Sequence, residues 1–156
     1  MVYYIFIMKL TSAAFIDGST IPGKYGYNHE NINPPLKIEN IPSNTKSLVL
    51  IMDDPDALSV VGKIWVHWTL WNIPANISDI PENSFPVDSI QGLTDFGEIG
   101  YGGPAPPDKE HTYFFKLYAL DKILELKSNS LKKDIETQID GCIITECVLR
   151  GKYAPQ

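Results

Sequence analysis

Residues 48 to 52, LVLIM, are an unbroken apolar run. A run of this length, rich in branched side chains, is the pattern of a β-strand buried on both faces, which places it at the centre of a sheet. Around it, segments of strand character are separated by turn chemistry such as DGSTIPG, NPP and DPD. With 12 prolines and 11 glycines in 156 residues, turns are favoured over long helices. The expected fold class is mainly β: an antiparallel β-sandwich, Greek-key-like, with one or two peripheral helices. A chain of this length buries about 70% of its unfolded surface as one domain, so residues 1–156 are read as a single domain, with 1–7 a candidate N-terminal extension.

Two further strands carry side chains with chemistry. In Ile64 to Asn72, IWVHWTLWN, a period of two puts Trp65, His67, Thr69 and Trp71 on one face and Ile64, Val66, Trp68 and Leu70 on the other. In His111 to Leu120 the same period aligns His111, Tyr113, Phe115, Leu117 and Ala119. The one helix predicted with caps starts at Ser130 and ends at Gly141, with Leu131, Ile135 and Ile139 spaced along one face. The residues that follow, CIITECVLRGKY, have the composition of a final strand, the alternative being that CIITECVL extends the helix past Gly141.

Charge and cysteine content narrow the function classes. The net charge of -6, without any basic run, argues against a nucleic-acid footprint. Two cysteines make no disulfide framework, and Cys142 and Cys147 are read as buried small apolar residues. The opening MVYYIFIM is too short for a membrane span and lacks the basic residues of a signal peptide, which leaves an edge strand or an upstream start, and a cytoplasmic location by default.

If the strand at 48–52 pairs antiparallel with that at 64–71, the DDPD after the first and His67 near the start of the second meet at one sheet edge. Asp54 and His67 then become neighbours, and Pro55 holds Asp54 extended. His111, also at a strand start, joins them if its strand reaches the same edge. Asp56 is read as a turn residue.

The blocks DPDA, WVHW, GYGGPAPP and HTYFFKLYALD, in that order, resemble the signature of the phosphatidylethanolamine-binding protein family, in its bacterial Raf-kinase-inhibitor-like branch. NINPPL, WNIP and GKYAP extend the resemblance over nearly the whole chain from Met8. Leu58, Thr112, Lys109, Ala105 and Cys142 depart from the family pattern, the loss of arginine at Thr112 removing a bidentate ion-pairing group.

The resemblance implies a sandwich with a small pocket at one end for phosphate-bearing headgroups or other small anions. By matching motif, Asp54, Trp65, His67, Gly103, Pro104, Pro107, His111 and Tyr113 would line it, with no metal, no cofactor and no catalytic residue. The histidines and Tyr113 would donate to phosphate, more strongly below about pH 6.5, where imidazoles gain charge. Asp54 would accept a ring N–H or meet an ammonium. Glycines would let backbone approach the ligand, and prolines would stiffen the wall. A non-enzymatic binding module leads, with a kinase or protease as a protein partner and a homodimer both left open. One alternative is a hydrolase or acid–base enzyme using Asp54, His67 and His111, although the chain has neither a G-x-S-x-G elbow nor a phosphate loop. The other is a metal site of two histidines and a carboxylate.

Overall fold

The computed structural model describes residues 1–2 and 5–156. Among these, eight strands and two α-helices follow one another as β1 (Lys9–Thr11), β2 (Leu36–Glu39), β3 (Ser47–Asp54), α1 (Leu58–Val61), β4 (Trp65–Pro74), β5 (Asp79–Ile80), β6 (Ile90–Gln91), β7 (His111–Leu120), α2 (Lys132–Ile139) and β8 (Ile143–Tyr153). They build two antiparallel sheets, one ordered β1-β2-β5 and the other β6-β4-β3-β7-β8. No helix of the described residues is long and apolar enough to cross a membrane.

β3 is the central strand, as its composition requires. Leu48, Leu50 and Met52 face the three-stranded sheet and pack with Leu10, Ile38 and Ile80. Val49 and Ile51 point the other way, onto Ile135 and Ile139 of α2. All five apolar residues of the run are at most 1% exposed, and burial of each is worth about 1.5–3 kcal/mol. The molecule is thus three layers deep at β3: small sheet, large sheet, helix.

α2 begins one residue later than the sequence predicts. The Ser130 carbonyl accepts the Leu93 N–H at 3.2 Å, tying Ser130 to the segment after β6. Capping falls to Asp134, whose carboxylate accepts the Leu131 N–H at 2.8 Å. Leu131 stays out of the core, 38% exposed, while Ile135 and Ile139 are buried. Cys142 precedes β8 rather than lying in it, and both cysteines are half-buried free thiols, not fully buried ones. Ile5 to Met8 form no strand, and Tyr3 and Tyr4 of the proposed edge strand lie outside the described residues.

β4 departs from simple alternation. Its pairing with β3 runs from Trp68 opposite Met52 directly to Val66 opposite Asp53, so His67 is an extra residue in a β-bulge. Trp68 and Leu70 therefore lie in the sheet-to-sheet core, and Trp71 lies under α2. The expected sharing of one face by His67 and Trp71 is broken by this bulge. β7 keeps its alternation, with Tyr113, Phe115, Leu117 and Ala119 all in the core between the sheets.

The last two residues of β3 are both buried carboxylates. Asp53 takes the outer face, where one oxygen accepts from Lys116 of β7 at 2.9 Å and Lys132 of α2 at 2.8 Å. Either ammonium neutralises it, and losing both strands a charge in the core. Lys116→Met and Lys132→Met should each cost little alone, while the double variant should lose about 3–5 kcal/mol. Urea denaturation of the four proteins measures this, and additive losses would contradict it.

Candidate functional site

The antiparallel pairing of β3 with both neighbours brings the end of β3 and the starts of β4 and β7 to one edge, with Asp54 opposite Trp65 and Asp53 opposite Phe114. A cavity of about 180 Å³ opens there, lined by Asp54, Ala57, Val60, Val61, Trp65, His67, Phe96, Ala105, Pro106, Pro107, His111 and Tyr113. Six of the eight predicted residues are among them: Asp54, Trp65, His67, Pro107, His111 and Tyr113.

Gly103 and Pro104 are not. The Gly103 N–H donates to Asn31 Oδ1 at 2.7 Å, and a Cβ on Gly103 would collide with the backbone of Tyr25 to Tyr27. The Pro104 carbonyl accepts the Tyr27 N–H at 3.0 Å, and the ring faces a separate groove beside Asn28 and Tyr153. These two residues brace the loop from behind, and Ala105 and Pro106 form the wall that was expected of them.

Asp54 pairs with His111, not with His67. His111 Nδ1 donates to Asp54 Oδ2 at 2.6 Å, with the two side chains only 1% and 4% exposed. His111 Nε2 meets Asp108 Oδ1 at 2.7 Å, a partner that sequence reasoning missed. His67 instead donates from Nδ1 to the Gly102 carbonyl at 2.7 Å, while the Gly102 N–H returns a bond to the His67 carbonyl at 2.8 Å. That reciprocal pair holds the bulge and sets the His67 tautomer, leaving Nε2 as an acceptor in the neutral ring.

The two rings titrate in opposite directions. Burial pulls His67 below the ordinary value of 6.5, outweighing the Gly102 carbonyl and the charge of Asp54. Burial pulls on His111 too, but its bonds to Asp54 and Asp108 and their negative charge win and raise it. His111 therefore keeps its proton above the ordinary imidazole value. Burial, followed by the charge of Asp54, pushes the Tyr113 phenol up, so it remains a donor. Tyr113 Oη and Asp54 Oδ1 are nonetheless buried with no hydrogen-bond partner among the described residues.

Phe96, also missed, organises the apolar side. Its ring stacks on Tyr27 with centroids 4.1 Å apart and meets His67 edge-on at 5.3 Å and Trp65 at 5.5 Å. A Cβ on Gly102 would run into the Phe96 ring, so this glycine makes room for it. The available signal was an aromatic residue inside the otherwise polar turn TDFGE. Asp56 does more than turn the chain: its carboxylate accepts the Thr112 N–H at 2.8 Å and pins the start of β7. No three His, Cys, Asp or Glu side chains among the described residues converge to hold a metal ion. Both His111 nitrogens face carboxylates.

The family model for phosphatidylethanolamine-binding protein matches residues 11–154. A UPF0098 protein of Methanothermobacter thermautotrophicus is 43% identical over 151 residues, covering 94% of this chain and 98% of its own. A crystal structure of a phosphatidylethanolamine-binding protein homolog from Chlamydia trachomatis is 40% identical and superposes with a TM-score of 0.90 over 96% of this chain and 99% of that one. That of Escherichia coli YbcL is 29% identical, with a TM-score of 0.89 over the same shares.

Linkage follows from the two shifts. The raised His111 contributes stability that is full below about pH 6.5 and is lost as pH rises through its folded value. The lowered His67 contributes stability present above about pH 6.5 and lost as pH falls through its folded value. Ring-proton NMR titration should therefore find His111 titrating above 6.5 and His67 below it; the reverse order would contradict the assigned environments.

Proposed function

The chain belongs to the phosphatidylethanolamine-binding protein family, and from that membership and the cavity we propose a binding module for a small phosphate-bearing headgroup. The observation that carries this reading is the pair of buried, unpartnered polar atoms at the cavity, Tyr113 Oη and Asp54 Oδ1. Tyr113 Oη lies near enough to the Asp54 carboxylate to feel it, yet neither atom completes a hydrogen bond among the described residues, so a ligand with both a donor and an acceptor can bridge the two. A phosphate oxygen satisfies the Tyr113 hydroxyl, and an ammonium or hydroxyl on the same molecule satisfies Asp54.

Charge and size fit the same class. His111 lines the cavity, and its two carboxylate partners raise its titration, so the ring keeps its proton above the ordinary imidazole value. About 180 Å³ suits a headgroup of a few heavy atoms rather than a whole lipid. Val60 and Val61, which line the mouth, are 39% and 51% exposed, and Leu58 and Ile64 beside them are 57% and 38% exposed. This apolar lip supports a ligand whose remainder is hydrocarbon, since an exposed cluster beside a polar pocket marks an interaction site. The protein's net charge repels anions at long range, so affinity rests on these local groups and is modest.

Isothermal titration with O-phosphorylethanolamine tests the reading on wild type and Tyr113→Phe. Wild type should give saturable binding, and Tyr113→Phe should weaken it about tenfold through loss of one donor. The same variant should unfold at an unchanged or slightly higher temperature, because it removes an unsatisfied buried hydroxyl. Absent binding in wild type, or equal affinity in the variant, would refute the proposed role of Tyr113.

A further inference from the structure

His111 is held between two carboxylates of different character. Asp54 is rigid: it ends β3, is buried, and grips Nδ1. Asp108 reaches the other nitrogen from the loop that precedes β7, three residues before His111, and its side chain is 39% exposed. Partial burial pushes the Asp108 carboxyl up, but the His111 N–H and local backbone N–H groups outweigh that and leave it below the ordinary range. The loop thus lays a carboxylate on the second ring N–H of His111, the one that Asp54 leaves free.

An anionic ligand needs that same donor. His111 lines the cavity while Asp108 stands outside its lining; with Nδ1 held by Asp54 and His67 presenting an acceptor at Nε2, His111 Nε2 is the remaining imidazolium N–H of the site among the described residues. With Asp108 in place, the trio of Asp54, His111 and Asp108 has a net charge of one negative unit, and a phosphate approaching it is repelled. With Asp108 turned out to solvent, Asp54 and His111 neutralise each other and Nε2 is open.

We propose that Asp108 is a specificity-determining residue of this pocket, an internal carboxylate that occupies the anion position and must be displaced before a phosphate can bind. The proposal rests on the headgroup reading above. It makes free phosphate a poor ligand, because displacement breaks the Asp108–His111 ion pair and free phosphate brings no cation to replace it. A headgroup with its own ammonium is favoured over it, since that group offers a carboxylate a new partner.

The test compares wild type, Asp108→Ala and Glu110→Ala for binding of inorganic phosphate and O-phosphorylethanolamine by titration calorimetry. Glu110 is an exposed acid in the same loop, so its variant makes the same change in net charge without touching His111. Asp108→Ala should bind inorganic phosphate about tenfold more tightly than wild type, and Glu110→Ala within about twofold of it. The preference for O-phosphorylethanolamine over phosphate should shrink in Asp108→Ala alone. His111 ring NMR in the same variant should show a lowered titration with His67 unmoved, which also reports an intact fold. If wild type binds but Asp108→Ala gains nothing, or gains no more than Glu110→Ala, the internal carboxylate is refuted and the pocket stands. If none of the three proteins binds either compound, the headgroup reading fails and takes this proposal with it.

Discussion

β3 is buried on both faces, and the position of Asp54, around which the cavity is built, follows from where that strand ends. Its apolar stretch joins the two sheets on one side and α2 on the other. Because alternation continues into the final two residues, consecutive aspartates are sent to opposite faces. Asp53 meets two lysines under the helix, and Asp54 meets His111 in the cavity. One strand terminus thus secures the helix layer and orients the central ring of the site, and among the described residues both carboxylates are hydrogen-bonded through one oxygen only.

The cavity also shows how two chemically identical side chains acquire different roles. His67 sits in a bulge against a carbonyl and aromatic rings, with no ionised partner in hydrogen-bond contact, so burial keeps it neutral. His111 sits between carboxylates, so it holds its proton. Groups pushed apart in this way are characteristic of functional sites. Here the result is a cavity with one imidazolium whose N–H groups are held by Asp54 and Asp108, one neutral acceptor, one phenolic donor and one carboxylate oxygen without a hydrogen bond among the described residues, walled by Trp65, Phe96 and the proline loop.

Much of this was legible in the sequence. LVLIM announced the central strand through burial alone, and alternation in HTYFFKLYAL placed His111 and Tyr113 on the same side as the core residues. The meeting of Asp54, His67 and His111 followed from strand pairing, and motif resemblance named six of the residues that line the cavity. The failures share one cause, namely that periodicity carries no information about irregular backbone. The bulge at His67 broke the assumed pairing of faces with Trp71. Gly103 and Pro104 were assigned to the ligand side of a loop whose packing against Tyr25 to Tyr27 only three-dimensional structure shows. Phe96 and Asp108, both in loops, lay outside any repeating pattern.

A crystal structure of the protein grown with O-phosphorylethanolamine at saturating concentration tests the central claim most directly. The account predicts the phosphate within hydrogen-bond distance of Tyr113 Oη and His111 Nε2, with Asp108 turned away and the ammonium beside a carboxylate. A ligand seated elsewhere, for example in the amide-lined groove of Asn31, Asn83 and Gln91, with Asp108 still on His111, would contradict it.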